Sequence, residues 1–332
     1  MTITTENLII GAGPAGITAG IILHKAGRDT LVLERLDLQT KDKLCGGILM
    51  PMVLEELEAI FQTDLHHLIA QDNINIDVIN SKGQTVHPFD FDNLYTVNRR
   101  DFDLCLATMY MEQGGKLLDN IFIKDIDLEN HVLQCFDQKN KEELTIRFSK
   151  LIAADGASSP TRYLLTKTAA RVIPSLETYV ENSCSDNFLM KLSEDLPGYA
   201  WYIPQGKTAN IGCCYYDNQG LITKEILEEH LFSFANSLGI KIQEYRAATI
   251  PCGNDIYLQK GDCYFIGDAA GLIDPVSCGG LHSSVYSAKL LAECLLQNQN
   301  YPQTILPSVI DQLNSYKTRN EYLKAIDNGE IN

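Results

Sequence analysis

The first 35 residues carry their apolar positions in continuous blocks rather than singly. Leu8-Ile9-Ile10 and Thr30-Leu31-Val32-Leu33 predict two buried strands, and the stretch between them predicts a helix over Ala15 to Ala26. Between the first strand and the helix stands Gly11-Ala12-Gly13-Pro14-Ala15-Gly16. In such a unit Gly11 permits the tight turn, Gly13 lets backbone approach a pyrophosphate, and Gly16 lets the helix pack close to the strand. The start of the helix then directs its unpaired N–H groups at the phosphates. Glu34 ends the second strand, where a carboxylate can accept both ribose hydroxyls of an adenosine. The unit predicts a dinucleotide-binding domain.

The pattern changes after a polar loop, Leu36 to Lys43. Leu44-Cys45-Gly46-Gly47-Ile48 precedes a helix from Met52 to Phe61, marked by Leu54, Leu57 and Ile60. Residues 74–97 alternate and carry turn signals such as Ser81-Lys82-Gly83. Asn98-Arg99-Arg100-Asp101 caps a helix that runs to Glu112 and ends at Gly114-Gly115. Ile121 to Phe148 predicts a meander of strands, and Leu151 to Ala154 a short buried strand closing on Asp155-Gly156. From Tyr163 to Ile250 strands dominate, with a hairpin over Tyr199 to Tyr216 and a helix over Lys224 to Leu238. A parallel-type strand returns at Cys263 to Gly267, followed by an amphipathic helix, Leu281 to Gln297, and more helix to Asn328. The expected architecture is α/β: a nucleotide domain (1–70, 96–163 and 251–332) split by a mainly antiparallel β domain (71–95 and 164–250).

Composition narrows the partners. A net charge of −16 over 332 residues argues against nucleic acid and against electrostatic docking on anionic lipid. It leaves open a small apolar substrate drawn from a membrane through a hydrophobic opening, with peripheral contact only. No stretch approaches the ~20 apolar residues of a membrane span, and the expected location is the cytoplasm. Ten cysteines without any CxxC spacing fit a reduced compartment. His66-His67 has no third ligand at metal spacing, so no metal is expected.

A second motif, Ile266-Gly267-Asp268-Ala269-Ala270, ends another apolar strand. A carboxylate there can accept hydrogen bonds from a ribityl chain, which FAD has and NAD lacks. After Asp274-Pro275, Cys278-Gly279-Gly280 opens the long helix at Leu281. The helix start would face the pyrimidine edge of a flavin and stabilise the negative charge of its reduced form. The paired motifs predict FAD.

Together with Glu34-Arg35, Leu44-Cys45-Gly46-Gly47, Asn98 to Asp103, Ala154 to Ser159 and Gly267 to Gly271, the glycine turn resembles the glutathione-reductase-like FAD proteins of the aromatic hydroxylase superfamily. Within it, Cys45-Gly46-Gly47 and Tyr199-Ala200-Trp201-Tyr202-Ile203-Pro204 are similar to the geranylgeranyl reductase family, especially its short CbrA-like members. The resemblance implies a glutathione-reductase-type Rossmann FAD-binding domain with an inserted, mainly antiparallel β substrate domain. It implies Gly11, Gly13, Pro14, Ala15 and Gly16 at the pyrophosphate, Glu34 and Arg35 at the adenosine end, and Arg99 at the phosphate and ribityl region. It further implies Gly267 and Asp268 at the ribityl–pyrophosphate segment, and Pro275, Gly279, Gly280 and Leu281 around the flavin. Asp155 is either a cofactor contact or the turn that ends its strand. The family sets Cys45 against the isoalloxazine, with Gly46 and Gly47 letting backbone approach the ring. That thiol could donate a proton, form an adduct, or only shape the pocket. Cys278 stands where the family has glycine or a small residue, so a Cys45–Cys278 dithiol couple is a further option. Tyr199 and Trp201 face one side of a strand, either roofing a substrate cavity or packing in the core. His282 either stabilises reduced flavin or caps a turn.

The expected activity is that of a reductase, taking electrons from NAD(P)H or another donor and passing hydride from flavin N5 to a carbon–carbon double bond of an apolar, prenyl-like substrate. No second GxGxxG offers NAD(P)H a domain. An oxygen-using hydroxylase or halogenase is the alternative. Gly267 to His282 and Trp201 to Pro204 also resemble halogenases, but Tyr199 replaces their first tryptophan and Cys45-Gly46-Gly47 their glycine–glutamate–serine loop. Hydroxylases commonly have histidine at Gly271. A flavin-binding sensor without catalysis is the third reading.

Overall fold

The computed structural model describes residues 1–89, 93–193, 195–216 and 222–331. The apolar run Leu8–Ile10 ends a longer strand, Thr2–Ile10, in the middle of the larger sheet. Thr30–Leu33 and then Lys116–Leu118 lie parallel on one side; Glu142–Ala153 and then Cys263–Phe265 lie parallel on the other. Leu8, Ile9, Leu151 and Ile152 are fully buried, as strands covered on both faces must be. Helix Pro14–Lys25 makes the first crossover and packs on helices Leu281–Gln297 and Arg99–Glu112. Its proline occupies the first turn, where no N–H is needed.

Backbone contact sets this junction. Gly11 has φ 105°, and a Cβ there would lie 2.3 Å from the Ala154 carbonyl oxygen; a Cβ on Gly16 would lie 1.9 Å from the Gly11 carbonyl oxygen. Helix and both central strands therefore meet with no side chain between them.

Two expectations change. Leu151 to Ala154 is the end of one long strand, Glu142–Ala153, whose first half completes the antiparallel meander with Ile121–Asp127 and Val132–Asp137. Its burial alternates through the first half and is complete at the end, so one strand reads as two. A helix, Pro160–Thr166, capped by the Ser159 hydroxyl, also lies where strands were expected to begin.

The second sheet has the order Arg246–Pro251, Val172–Glu181, Thr208–Tyr215, Gly198–Gln205, Phe188–Leu192, Ile76–Ile79 and Thr85–Val86, antiparallel except at Phe188–Leu192 beside Ile76–Ile79. The fold is thus a Rossmann-type α/β frame with an inserted, mainly antiparallel sheet. Residues 90–92 of the predicted 74–97 strands lie outside the described residues. Helix Lys224–Ser237 covers the face of Ala200, Tyr202, Ile211 and Cys213. The opposite face carries Tyr199, Trp201, Ile203 and Cys214, joined by Leu323 and Ile326 from the terminal helix Tyr301–Asn328. A small third sheet, Ile48–Leu49, Leu94–Val97 and Ile69–Ile74, links the frames. Among the described residues no helix is long and apolar enough to cross a membrane.

The Gly11–Gly16 approach generates a prediction. Gly16→Ala drives a methyl group into a backbone oxygen and is expected to lower stability by about 1–3 kcal/mol, read as a lower denaturant midpoint of the FAD-free protein. An unchanged midpoint would contradict the contact.

Candidate functional site

The carboxyl ends of the parallel strands converge on one edge, where ligands bind in open α/β sheets. Gly11 follows Ile10, Glu34 follows Leu33, Asp155 lies just past Ala153, and Asp268 just past Phe265. Gly13 starts its helix with no side-chain cap, and nothing lies within 4 Å of the position its Cβ would take. The helix start is therefore uncapped by any side chain, with room beside Gly13. Gly280 starts Leu281–Gln297 in the same uncapped way, with the Asp268 Oδ1 atom 2.9 Å from its would-be Cβ.

Glu34 is buried and accepts from the Ala12 amide (3.0 Å), the Leu36 amide (3.0 Å) and Lys41 Nζ (2.9 Å). Burial pushes its carboxyl up, but Lys41 and the two amides outweigh that and hold it below the ordinary value. Its oxygens keep capacity for a further donor such as a ribose hydroxyl. Lys43, whose side chain is partly exposed, pairs with Asp268 at 2.9 Å, and that carboxylate raises the lysine's pKa. The polar loop therefore spans both carboxylates, a role its lysines do not announce in sequence. Arg35 is exposed beside Glu34. Asp155 gives its oxygens to the Ser159 hydroxyl (2.6 Å) and the Thr161 amide (2.8 Å), the start of a helix; burial raises its pKa. Arg99 is buried, paired twice with Asp103 (2.9 and 3.1 Å), and adjoins the Cys45 sulfur. Burial works against its charge, while Asp103 and Cys45 hold it protonated.

The inserted sheet meets two glycine loops. At one, the Tyr179 hydroxyl donates to the Cys45 carbonyl (3.4 Å) and Gln205 Nε2 to the Gly46 carbonyl (2.7 Å). The Gly47 amide donates to Cys45 Sγ at 3.4 Å. At the other, Tyr199 donates to the Ser277 carbonyl and Tyr216 to the Val276 carbonyl (2.9 Å), flanking Pro275 and Gly279. Cys278 Sγ lies 3.9 Å from Cys214 Sγ and 3.3 Å from the Tyr216 hydroxyl. Hydrogen bonds from Cys214, Tyr216 and Tyr199 lower the Cys278 pKa against burial. Each sulfur of the conceivable Cys45–Cys278 couple has its own neighbours: Cys45 adjoins Arg99 and the Gly47 amide, and Cys278 adjoins Cys214 and Tyr216. All ten cysteines are free.

Between the two loops, Trp201 donates from Nε1 to Asn210 Oδ1 (2.6 Å), and Asn210 Nδ2 donates to Glu177 Oε2 (3.0 Å). Burial pushes the Glu177 carboxyl up to about 7, although Asn210, Lys43, Arg246 and Arg99 oppose this. Glu177 and Asn210 were not singled out by sequence reasoning. The period-two pattern of Val172–Glu181 puts Glu177 on the face of Ser175 and Tyr179, but one strand does not tell which face meets the loops. His282 is exposed on its helix and stacks on Tyr286, with ring centroids 6.0 Å apart. Sequence spacing offers no third ligand beside His66-His67, but folding brings two carboxylates to His66. Glu58 and Asp64 place ligand atoms within 4.8 Å of one another and of His66, because the chain turns back after helix Pro51–Phe61. Those carboxylates already accept the Leu65 and His66 amides, at 2.8 Å each.

Comparison with known proteins matches residues 4–172 to the FAD binding domain family. The chain belongs to that family. It is 24% identical to a geranylgeranyl diphosphate reductase of Rhodobacter capsulatus over 308 residues, covering 88% of this chain and 75% of that protein. A geranylgeranyl bacteriochlorophyll reductase-like structure from Thermoplasma acidophilum superposes with a TM-score of 0.83 at 20% identity, covering 99% of this chain and 91% of the other. A myxobacterial FAD-dependent halogenase superposes with a TM-score of 0.70 at 20% identity, covering 96% and 80%.

FAD fits the residues of this family member. The open, uncapped amides at Gly13 suit a pyrophosphate, and Glu34 suits a ribose. Gly13→Ala has no fold contact to disturb, so it is expected to keep the unfolding midpoint while weakening FAD binding at least tenfold in a fluorescence titration. Tight FAD binding by that variant would contradict the cradle. Glu177 predicts a pH dependence. With its folded pKa about 7 against 4.5 unfolded, the neutral acid stabilises the fold below pH 4.5, and the contribution fades as pH rises through 7. Glu177→Gln removes this titration, so its stability relative to wild type is expected to rise by about 2–3 kcal/mol between pH 5 and pH 8. A difference that does not change with pH in denaturant unfolding would contradict the burial of this acid.

Proposed function

We propose that this FAD-dependent oxidoreductase reduces a carbon–carbon double bond of an apolar, prenyl-like substrate lying between the inserted sheet and the Cys45-Gly46-Gly47 loop. The observation that carries the reading is the sheet face itself. Tyr199, Trp201 and Ile203, with Met190 and the helix residues Leu323 and Ile326, make an apolar wall beside a glycine loop. The likeness to a geranylgeranyl diphosphate reductase supports the same substrate class.

Bound FAD supplies hydride from N5 of its reduced form. In this reading Gly11, Gly13 and Gly16 hold its pyrophosphate, Glu34 its adenosine ribose, Asp268 its ribityl end, and Arg99 keeps Cys45 in place. Residues 1–70, 96–163 and 251–332 form the cofactor part, and 71–95 with 164–250 the substrate part. Electrons come from NAD(P)H acting without a domain of its own. The protein works in the cytoplasm and touches membranes only at their surface.

Anaerobic reduction by NADPH followed by geranylgeranyl diphosphate tests the reading. Flavin reoxidation matched by saturation of the prenyl chain in mass spectrometry is the expected result. A flavin that stays reduced with the lipid, yet hydroxylates or halogenates an aromatic compound once oxygen is admitted, would replace the reductase reading with an oxygen-using one.

A further inference from the structure

Glu177 is a buried acid that the cofactor motifs do not use. Strand pairing sets it opposite Gly212, and Gly212 opposite Trp201, in the middle of the face that meets the two loops. Gly212 makes the arrangement possible, since a Cβ there would lie 2.4 Å from the indole and 2.7 Å from Glu177 Cβ. Two residues along one direction, Tyr179 reaches the Cys45 loop. In the other direction Tyr199 and Cys214 reach Ser277 and Cys278. The carboxyl therefore stands between the loops flanking the flavin position.

Its proton has a defined place. An indole N–H can only donate, so Asn210 Oδ1 must accept and its Nδ2 must face Glu177. Oε2 is thereby fixed as an acceptor, leaving Oε1 to carry the proton of the neutral acid. Cys45, in contrast, receives hydrogen bonds at its sulfur from the Gly47 amide and from Arg99.

We propose that Glu177 is the catalytic acid of the reduction, delivering its Oε1 proton to the alkene carbon that does not receive hydride. The inference rests on the reductase reading. The π bond breaks and two C–H bonds form, one from hydride and one from the Glu177 proton; reduced flavin is oxidised, and the carboxylate regains its proton from solvent. Facing the carboxyl are Lys43 from the loop, Arg99 from helix Arg99–Glu112, Arg246 from the neighbouring strand, and Tyr179 and Cys214 from the sheet. The three cations favour the carboxylate, and burial outweighs them. An acid poised near working pH is suited to general catalysis.

The test uses the full FAD-loaded protein, reduced anaerobically with dithionite and mixed with geranylgeranyl diphosphate. Glu177→Gln is expected to keep FAD affinity and dithionite reduction while slowing reoxidation by the lipid on the order of 100-fold or more. It should also remove the fall in rate that wild type shows as pH rises through about 7; Glu177→Asp should retain a titration at a shifted midpoint. Wild-type rates with the wild-type pH profile in Glu177→Gln would overturn the assignment. The wild-type control separates the two ideas, because lack of reoxidation there refutes the reductase reading by itself. Infrared difference spectra then decide Glu177 without turnover, whether or not the glutamine variant folds. A neutral-carboxyl band that titrates near neutrality and shifts when the lipid is added supports the assignment; a missing band, or one indifferent to the lipid, overturns it.

Discussion

Side chains of the inserted sheet donate hydrogen bonds to main-chain carbonyls of two glycine-bearing loops, and this seam positions the chemistry of the chain. Cys45 and Gly46 receive Tyr179 and Gln205; Val276 and Ser277 receive Tyr216 and Tyr199. These half-buried carbonyls lie outside strand ladders, and side chains of the sheet supply their partners. Losing Gln205, Tyr216 or Tyr199 would remove the side-chain donor to Gly46, Val276 or Ser277, at a cost of about 1–3 kcal/mol, whereas the Cys45 carbonyl accepts from both Tyr179 and Gln205. Sheet and loops are thus held at one spacing, and the space between Cys45 and Cys278 is set from both sides.

The cofactor end follows a different principle. There backbone meets backbone at Gly11, Gly16 and Ala154, leaving the helix amides uncovered for an anion. Charged side chains balance that edge: Lys41 neutralises Glu34 and Lys43 neutralises Asp268. The polar loop is therefore tied across the edge by ion pairs, while the apolar face of the inserted sheet lies on the other side of the seam. The acidity of the whole chain has no part in this local balance.

Much of the nucleotide frame was legible in the sequence because each signal there is local. Asn98 accepts from the Arg100 and Asp101 amides as its capping position predicts, and the glycine turn sits between its strand and helix. The strand Glu142–Ala153 was hidden because its burial pattern changes halfway, from a one-sided meander to a two-sided parallel core. The inserted sheet was legible only in part. Tyr199 and Trp201 share a face as their spacing requires, but their partners come from register. Asn210 and Glu177 reach Trp201 across neighbouring strands, and Cys214 reaches Cys278 across the seam. Pairings of that kind depend on which strands become neighbours, which no single segment encodes.

Trp201 is the chain's one tryptophan, so its emission reports directly on whether the sheet face between the loops is where the apolar substrate lies. The decisive measurement is the tryptophan fluorescence of the FAD-loaded protein during titration with geranylgeranyl diphosphate. A saturable change in intensity and wavelength that tracks lipid binding by equilibrium dialysis, and that is reduced when Ile203 is replaced by a polar residue, is the expected result. Lipid bound with an unchanged tryptophan spectrum would place the substrate elsewhere and contradict the account.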